Sequence, residues 1–318
     1  MSPNLCQPMK IVALAGGVGG AKLAHGLAQI LPPEDLTVIV NTGDDFEHYE
    51  LYICPDLDTV CYTLAGLANP ETGWGRVNET WNVIESASKL GGPEWFRLGD
   101  QDLGTHLERT RRLKEGQALS QITKDFCRAW GIEQTILPMA DGPVRTMVET
   151  EAGDLAFQEY FVHRRCEPRV RGFRFEGVER AEPAPGAREA IQSADAVVIC
   201  PSNPWVSIDP ILQVLAPLLS GEGSGVRVVA VSPIIGGQTV KGPAAKMYRE
   251  LGIEPSALAV ANHYRGLVTG FVLDKIDEQL KGEIGINMRT MTTNILMKDL
   301  HDRSRLAGEV LHFIEAVL

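Results

Sequence analysis

An α/β fold built on a doubly wound, mostly parallel sheet is predicted for this chain, and three features predict it. Short apolar runs recur along the 318 residues, each ending abruptly at glycine, asparagine or proline. Segments with helical spacing separate those runs, which is the alternation of parallel βαβ units. Between Val144 and Phe175 the pattern becomes alternating and aromatic, which predicts an inserted β-hairpin/helical subdomain beside the main sheet. The expected division is a Rossmann-like core over residues 9–143 and 186–318, a β-rich insertion over 144–185 and an N-terminal extension over 1–8.

The first unit is Lys10 to Ala15 as a strand, a break at Gly16-Gly17-Val18-Gly19-Gly20-Ala21-Lys22, and a helix carrying Leu23, Leu27, Ile30 and Leu31 up to Pro32-Pro33. Adjacent glycines let backbone approach a ligand closely, and the following helix start offers N–H groups to a phosphate; tight strand–helix packing is the plainer use of the same glycines. A dinucleotide fingerprint starting at Gly17 needs glycine where Lys22 stands, and the second strand ends in Asn41 rather than an acidic ribose contact. The P-loop pattern fails as well, because Leu23 follows Lys22.

Thr37 to Val40 is a β-branched strand that breaks at Asn41-Thr42-Gly43 and leads into Asp44, Asp45, Asp56 and Asp58. Loops at the carboxyl ends of parallel strands are where open α/β sheets hold ligands. Carboxylates this dense repel one another unless a cation balances them, so a Mg²⁺ site at Asp44, Asp45 and Asp58 is expected, with the same three as catalytic candidates. Asp58 also suits a helix cap before Thr59 to Ala68, and Asp56, after Pro55, suits a turn. Asn69 to Trp81 reads as a loop in which Trp74 or Trp81 offers a stacking face, and Arg97, ahead of Gly99-Asp100-Gln101-Asp102, offers a fork for an oxyanion.

Leu103 to Leu113 and Ile122 to Trp130 have helical spacing, the second with Ser120 as expected cap. The insertion reads as Val144 to Thr150, a turn at Glu151-Ala152-Gly153-Asp154, then Leu155 to Val162, with a basic group at His163, Arg164, Arg165, Arg169, Arg171 and Arg174. Ala196 to Cys200 is an apolar strand ending in Pro201-Ser202-Asn203-Pro204, whose two prolines fix Ser202 and Asn203 in a turn suited to a nucleotide. Further expectations are a helix over Ile208 to Leu219, a strand over Val226 to Ser232, a glycine-rich loop with Lys241, a helix over Ala244 to Leu251, strands over Ala257 to Ala261 and Val268 to Leu273, and a helix over Arg303 to Val317.

Composition narrows the function classes. With 44% hydrophobic and 22% charged residues the chain is ordinary globular material, and a formal charge of −11 argues against a nucleic-acid-backbone binder. Cysteines at 6, 54, 61, 127, 166 and 200 form no metal-type pair, so idle thiols in a reducing cytoplasm are expected. No signal peptide or membrane span is legible, and a homodimer is the default assembly.

The ordered motifs GGVGGAKL, VNTGDD with PDLDTV, RLGDQD, PSNP and SPIIGG resemble, over nearly the whole chain, the 2-phospho-L-lactate transferase (CofD) family of deazaflavin coenzyme F(420) biosynthesis. The resemblance implies a Mg²⁺-dependent transferase that moves a phospholactyl or phosphoenolpyruvyl group from a guanosine diphosphate-type donor to the ribityl hydroxyl of 7,8-didemethyl-8-hydroxy-5-deazariboflavin, releasing GMP. It implies that Asp58 and Arg97, with Trp74 beside them, contact the deazaflavin, and that Asp44 and Asp45 lie by the metal and phosphates. Gly16, Gly17, Gly19, Gly20, Lys22, Asn41, Ser202, Asn203 and Pro204 would then hold the nucleotide. The chain departs from the family pattern at Gln101, where arginine is expected, which bears on a cationic phosphate contact and on the donor acid. Two other readings stay open: a non-catalytic nucleotide-sugar-binding regulator of the gluconeogenesis-factor type, and a nicotinamide-dependent dehydrogenase, which needs the missing glycine and ribose carboxylate.

Overall fold

The computed structural model describes residues 9–219 and 226–317, so the expected extension over 1–8 lies outside the described residues. The first half of the core runs β1 (Ile11–Ala15), α1 (Gly17–Ala28), β2 (Leu36–Val40), a short hairpin of β3 (Phe46–His48) and β4 (Leu51–Ile53), α2 (Pro55–Leu64), α3 (Asn82–Lys89), α4 (Asp100–Lys114), α5 (Leu119–Ala129) and β5 (Thr135–Pro138). The insertion contributes β6 (Arg145–Thr150), β7 (Gly153–Ala156) and β8 (Val170–Glu176). The second half runs α6 (Ala187–Ser193), β9 (Ala196–Ile199), α7 (Asp209–Leu219), β10 (Arg227–Val231), the two-residue strands β11 (Ile234–Ile235) and β12 (Gln238–Thr239), α8 (Ala244–Glu250), α9 (Ala257–His263), β13 (Gly270–Asp274), α10 (Lys281–Ile284), β14 (Arg289–Thr293) and α11 (Leu300–Val317).

Seven strands form one parallel sheet in the order β14-β13-β10-β9-β1-β2-β5. The chain builds outward from β1 through β2 to β5, then returns to β1's other side and builds outward through β9 and β10. That reversal creates a switch point between the carboxyl ends of β1 and β9, where the loops diverge and leave a crevice. Both sheet faces are buried, which is why the strands read as continuous apolar runs rather than alternating ones. On one face Ala13 and Val38 pack under α1, α2, α5 and α11 through Leu23, Leu57, Leu119 and Val310. On the other, Leu14 and Ile39 pack under α7, α8 and α9 through Ile211, Met247 and Val260.

Several expectations change on the structure. Ala257 to Ala261 is helix, not strand: Ser256 accepts a hydrogen bond from Ala259 N at 3.0 Å and caps it, and the alanines favour the helix. α5 begins at Leu119 after Ala118, and Ser120 does not cap it; its hydroxyl and N–H both go to Asp141. Of the expected second insertion strand only Leu155 and Ala156 pair, in a strand that already begins at Gly153 in the expected turn, after which Glu159–His163 coils into a π-helical turn, and β8 completes a three-stranded sheet in the order β7-β6-β8. The glycine break is itself the first turn of α1. The basic group of the insertion is partly neutralised there, with Arg174 paired to Asp154 and Glu176, and Arg164 and His163 paired to Glu159. The insertion is not a separate body, because Val148, Tyr160 and Val170 belong to the same apolar cluster as Leu14 and Ile199. Cysteines 54, 61, 127, 166 and 200 are free thiols, and among the described residues no helix is long and apolar enough to cross a membrane.

Candidate active site

A cavity of about 660 Å³ opens at the switch point. Its first wall is the β1–α1 junction. Gly17 takes φ +61°, a left-handed conformation that glycine adopts without strain, and this starts α1 immediately after the strand. A side chain at Gly19 would put its Cβ 2.2 Å from the Pro201 carbonyl, so the glycine turn and the Pro201–Pro204 turn touch backbone to backbone. Ser202 stitches them: its Oγ accepts from Gly16 N at 3.1 Å and donates to Gly16 O at 2.8 Å. The cap residue Gly16 supplies no side-chain cap to α1, and Gly17 N–H is taken by Asp56; Gly17, Val18 and Gly19 line the cavity, so the remaining leading N–H groups suit an anion. Gly16, Gly17, Gly19, Lys22, Ser202 and Asn203 line the cavity, whereas Gly20 and Pro204 lie behind it as packing.

Two lysines add positive charge to this wall. Lys22 Nζ donates to Met297 O at 2.8 Å, and burial, then the nearby Arg303 and Lys241, push its ammonium below the ordinary lysine value. Lys241 Nζ donates to Thr72 O at 2.6 Å, tying the loop after β10 to the tryptophan loop across the mouth.

The floor is acidic. Asn41 lies fully buried beneath it, its Nδ2 donating to Asp44 Oδ1 at 3.1 Å and Asp56 Oδ2 at 2.9 Å, so it organises the carboxylates and does not touch the cavity itself. Burial, then the neighbouring Asp56 and Asp45, hold the Asp44 carboxyl well above its usual range; burial, against hydrogen bonds from Asn41 and Gly17, pushes Asp56 up to about 6. Asp45 faces away from the cavity into the protein. The buried Cys54 thiol is its weak hydrogen-bond partner, and burial pushes it up to about 7 despite the nearby Arg145.

Asp58 lies in the first turn of α2, whose cap position is Cys54. Both of its oxygens are taken by the buried Arg109 of α4, Oδ2 by Nη1 at 3.0 Å and Oδ1 by Nη2. Asp58, Asp102 and His106 each bring one ligand atom to within 4.8 Å of the others, a possible metal triad. Arg109, which also donates to His106 Nδ1 at 3.2 Å, already supplies positive charge to that group.

Arg97 and Trp74 line the outer part of the cavity with Phe96 and Phe161. Arg97 lies over the Trp81 ring at 4.3 Å from its centroid, which holds the guanidinium in place, and Trp74 is half exposed at the mouth. Gln101 does not line the cavity; its N–H goes to Glu79 and its side-chain amide to Asn78 O, so the departure from the family pattern falls outside the cavity wall. Asp100 likewise serves the loop, accepting from Thr80, Asn82 and Val83, which pull its carboxyl down to about 2.

The sequence places Asp56 in the acidic loop, with a turn as its equal alternative, and leaves it out of the site residues, as it does Asp102, His106 and Arg109. A signal for the last three was present, since positions i, i+4 and i+7 of one helix share a face.

Comparison with known proteins accords with this arrangement. The chain is 44% identical over 316 residues to a phosphoenolpyruvate transferase of Streptomyces griseus, covering 97% of this chain and 99% of that one. It is 40% identical over 320 residues to a 2-phospho-L-lactate transferase of Methanopyrus kandleri, covering 98% and 99%. A crystal structure of a UPF0052-family protein from Bacillus halodurans shares the fold at a TM-score of 0.61 and 15% identity, covering 96% of this chain and 99% of that one. Residues 11–301 match the description 2-phospho-L-lactate transferase CofD, and with that span and those identities the chain belongs to the CofD transferase family.

Proposed function

We propose that the protein moves a phospho-acid group, phospholactyl or phosphoenolpyruvyl, from a guanosine diphosphate-type donor to the terminal ribityl hydroxyl of 7,8-didemethyl-8-hydroxy-5-deazariboflavin, releasing GMP. The observation that carries this reading is one cavity with two unlike walls: an uncapped helix start with Lys22 and Lys241 on one side, and carboxylates of α2 and α4 beside Arg97 and aromatic rings on the other. The first wall suits a diphosphate, and the second a planar, hydroxyl-bearing acceptor. Both substrates then meet in one enclosed space, and holding them in line is most of what phosphoryl transfer asks of a protein.

Mg²⁺ fits the acidic floor. Asp44 and Asp56 are buried carboxylates that line the cavity beside the glycine turn; burial raises the proton affinity of both, and the charge of Asp56 raises that of Asp44 further, the condition a hard cation relieves. We assign the ion to these two. Asp45 faces away from the cavity, and Asp58 is neutralised by Arg109. When bound, the ion supplies charge neutralisation for a diphosphate. Asn41 fixes both carboxylates, Lys22 and the α1 N–H groups receive anionic oxygens, and Arg97 with Trp74 orients the acceptor ring.

The test is to mix the protein with Mg²⁺, the deazaflavin and guanylylated phospholactate, phosphoenolpyruvate or phosphoglycerate, and to follow GMP release and acceptor mass. A mass gain with one donor is expected. No gain with any of them, in folded protein, would move the assignment to a binding protein without transfer.

A further inference from the structure

The carboxylates around the cavity differ in what already occupies their oxygens. Asp44 and Asp56 share the Asn41 amide against the glycine turn, and Asp58 has both oxygens on Arg109. Asp102 is different. Its side chain is 16% exposed and lines the cavity between Arg97 and His106. One oxygen, Oδ1, accepts the Tyr62 hydroxyl at 2.7 Å, and Tyr62 is itself held against Thr105 at 2.8 Å. The hydrogen bond found to the carboxylate among the described residues is on Oδ1, and the side chain reaches the cavity.

His106 reinforces this orientation. A guanidinium only donates, so Arg109 Nη1 at 3.2 Å makes His106 Nδ1 the acceptor and leaves the proton of the neutral ring on Nε2. That Nε2 lies 3.3 Å from Asp102 Oδ1, an electrostatic contact without full hydrogen-bond geometry. The Tyr62 hydroxyl and the adjacent His106 ring both lie against Oδ1, which leaves Oδ2 for the cavity side. The N-terminal turn of α4 is fixed in turn by Glu79, whose carboxylate accepts from Gln101 N at 2.9 Å and Asp102 N at 2.8 Å.

We propose that Asp102 is the catalytic residue that takes the proton of the attacking hydroxyl. The assignment rests on the transferase reading above. The acceptor's primary hydroxyl oxygen bonds to the phosphorus that carries the phospho-acid; the bond from that phosphorus to the bridging oxygen breaks, and GMP leaves with the bonding pair. The hydroxyl proton passes to Asp102 Oδ2 and then to water. A carboxylate held this way acts by alignment and proton acceptance, worth about 10²–10⁴ in rate for general-base catalysis.

The discriminating variant is Asp102→Asn. Tyr62 donates to the Oδ1 position, so the amide oxygen stays there and the NH₂ group faces the hydroxyl, which it cannot deprotonate. Turnover is expected to fall at least about 100-fold, while affinity for the guanosine donor, measured by calorimetry, stays within about threefold. Wild-type protein is expected to bind the deazaflavin more tightly than its terminal deoxy analogue, and Asp102→Ala, which leaves the hydroxyl no partner there, to bind the two alike. Tyr62→Phe, which frees Oδ1, supplies a second reading: a smaller loss of turnover with acceptor KM unchanged. Turnover of Asp102→Asn near wild type would overturn the assignment, as would a loss of donor affinity that matches the loss of turnover, since that marks a structural role. Wild-type protein inactive with every donor would overturn the transferase reading first, before any variant is compared.

Discussion

Arg109 is the side chain on which the acidic floor depends. It is 2% exposed, pairs with Asp58 through two N–H groups and touches His106, so it neutralises a carboxylate that is itself buried. Removing one member of a buried pair leaves an uncompensated charge, at about 3–5 kcal/mol. Arg109→Ala is therefore expected to lower stability by that order in urea denaturation. Arg109→Lys should recover only part of it, because an ammonium cannot make the two-pronged contact; full recovery by lysine would show that the fork is not what matters. Asp45 gives a pH prediction. Its carboxyl is held up to about 7 against an ordinary 3.8, so between those values the native protein keeps a proton that the unfolded chain has released. Stability from this group is present below about pH 4 and is lost as pH rises through about 7, with a mid-window slope of about −1.4 kcal/mol per pH unit. In metal-free protein, Asp45→Asn should remove that slope; parallel pH profiles for variant and wild type would show that Asp45 does not hold the proton. At this scale the sequence displayed Asp44, Asp58 and Arg97 as chemistry but not their partners. Asp58 and Arg109 are 51 residues apart, and nothing local in either segment announces a pairing made by the packing of α4 on β4 and α2. Asp102 and His106 stayed hidden for a different reason: they sit on a strongly polar helix whose inward face carries charge rather than apolar residues, so their shared i, i+4, i+7 face did not stand out from the surrounding charge.

The clasp between two turns sets the geometry of the anion wall. β1 and β9 are hydrogen-bonded neighbours in parallel register, so the loops that leave their carboxyl ends are forced side by side. Only glycine at 19 lets α1 approach the Pro201 carbonyl, and a backbone atom cannot rotate away as a side chain does. Gly19→Ala is expected to displace the start of α1, to lower the melting temperature by several degrees, and to weaken guanosine diphosphate binding at least about tenfold, the equivalent of about 1.4 kcal/mol. Calorimetric titration of the folded variant checks it, and unchanged affinity would show that the glycine serves packing alone. The elements of this wall were legible because each is an apolar run closed by glycine or proline. Ala257–His263 was misread because a short apolar alanine-rich run carries no length or period to separate strand from helix, and the Ser256 cap decided it. β14, with the sequence RTMTT, went unseen because it lies at the sheet edge, half polar, without the buried run of its neighbours.

At the scale of the molecule, the insertion and the sheet share one apolar interior. Val148 of β6 and Val170 of β8 pack in the cluster that contains Leu14 and Ile199, and Phe173 stacks on Trp205, whose ring also meets Tyr248 of α8. A backbone bond from Thr146 N to Gly43 O at 2.8 Å ties β6 to the acidic loop directly. A unit that buries its apolar face only against the core has no independent stability, so insertion and core should unfold together. The change in aromatic patterning over 144–185 made the insertion visible in the sequence but said nothing of this dependence, which arises from contacts between distant segments. Val148→Ala deletes two methyl groups from a fully buried site and is expected to cost about 2 kcal/mol. That cost should move the one global transition, seen alike by tryptophan fluorescence and far-ultraviolet circular dichroism, and should shift hydrogen exchange of β9 as much as that of β6. An early, separate melting of β6 to β8 with β9 protection unchanged would mean that the insertion is a second folding unit, and the wall it lends to the cavity through Phe157 and Phe161 could then open while the sheet stays intact.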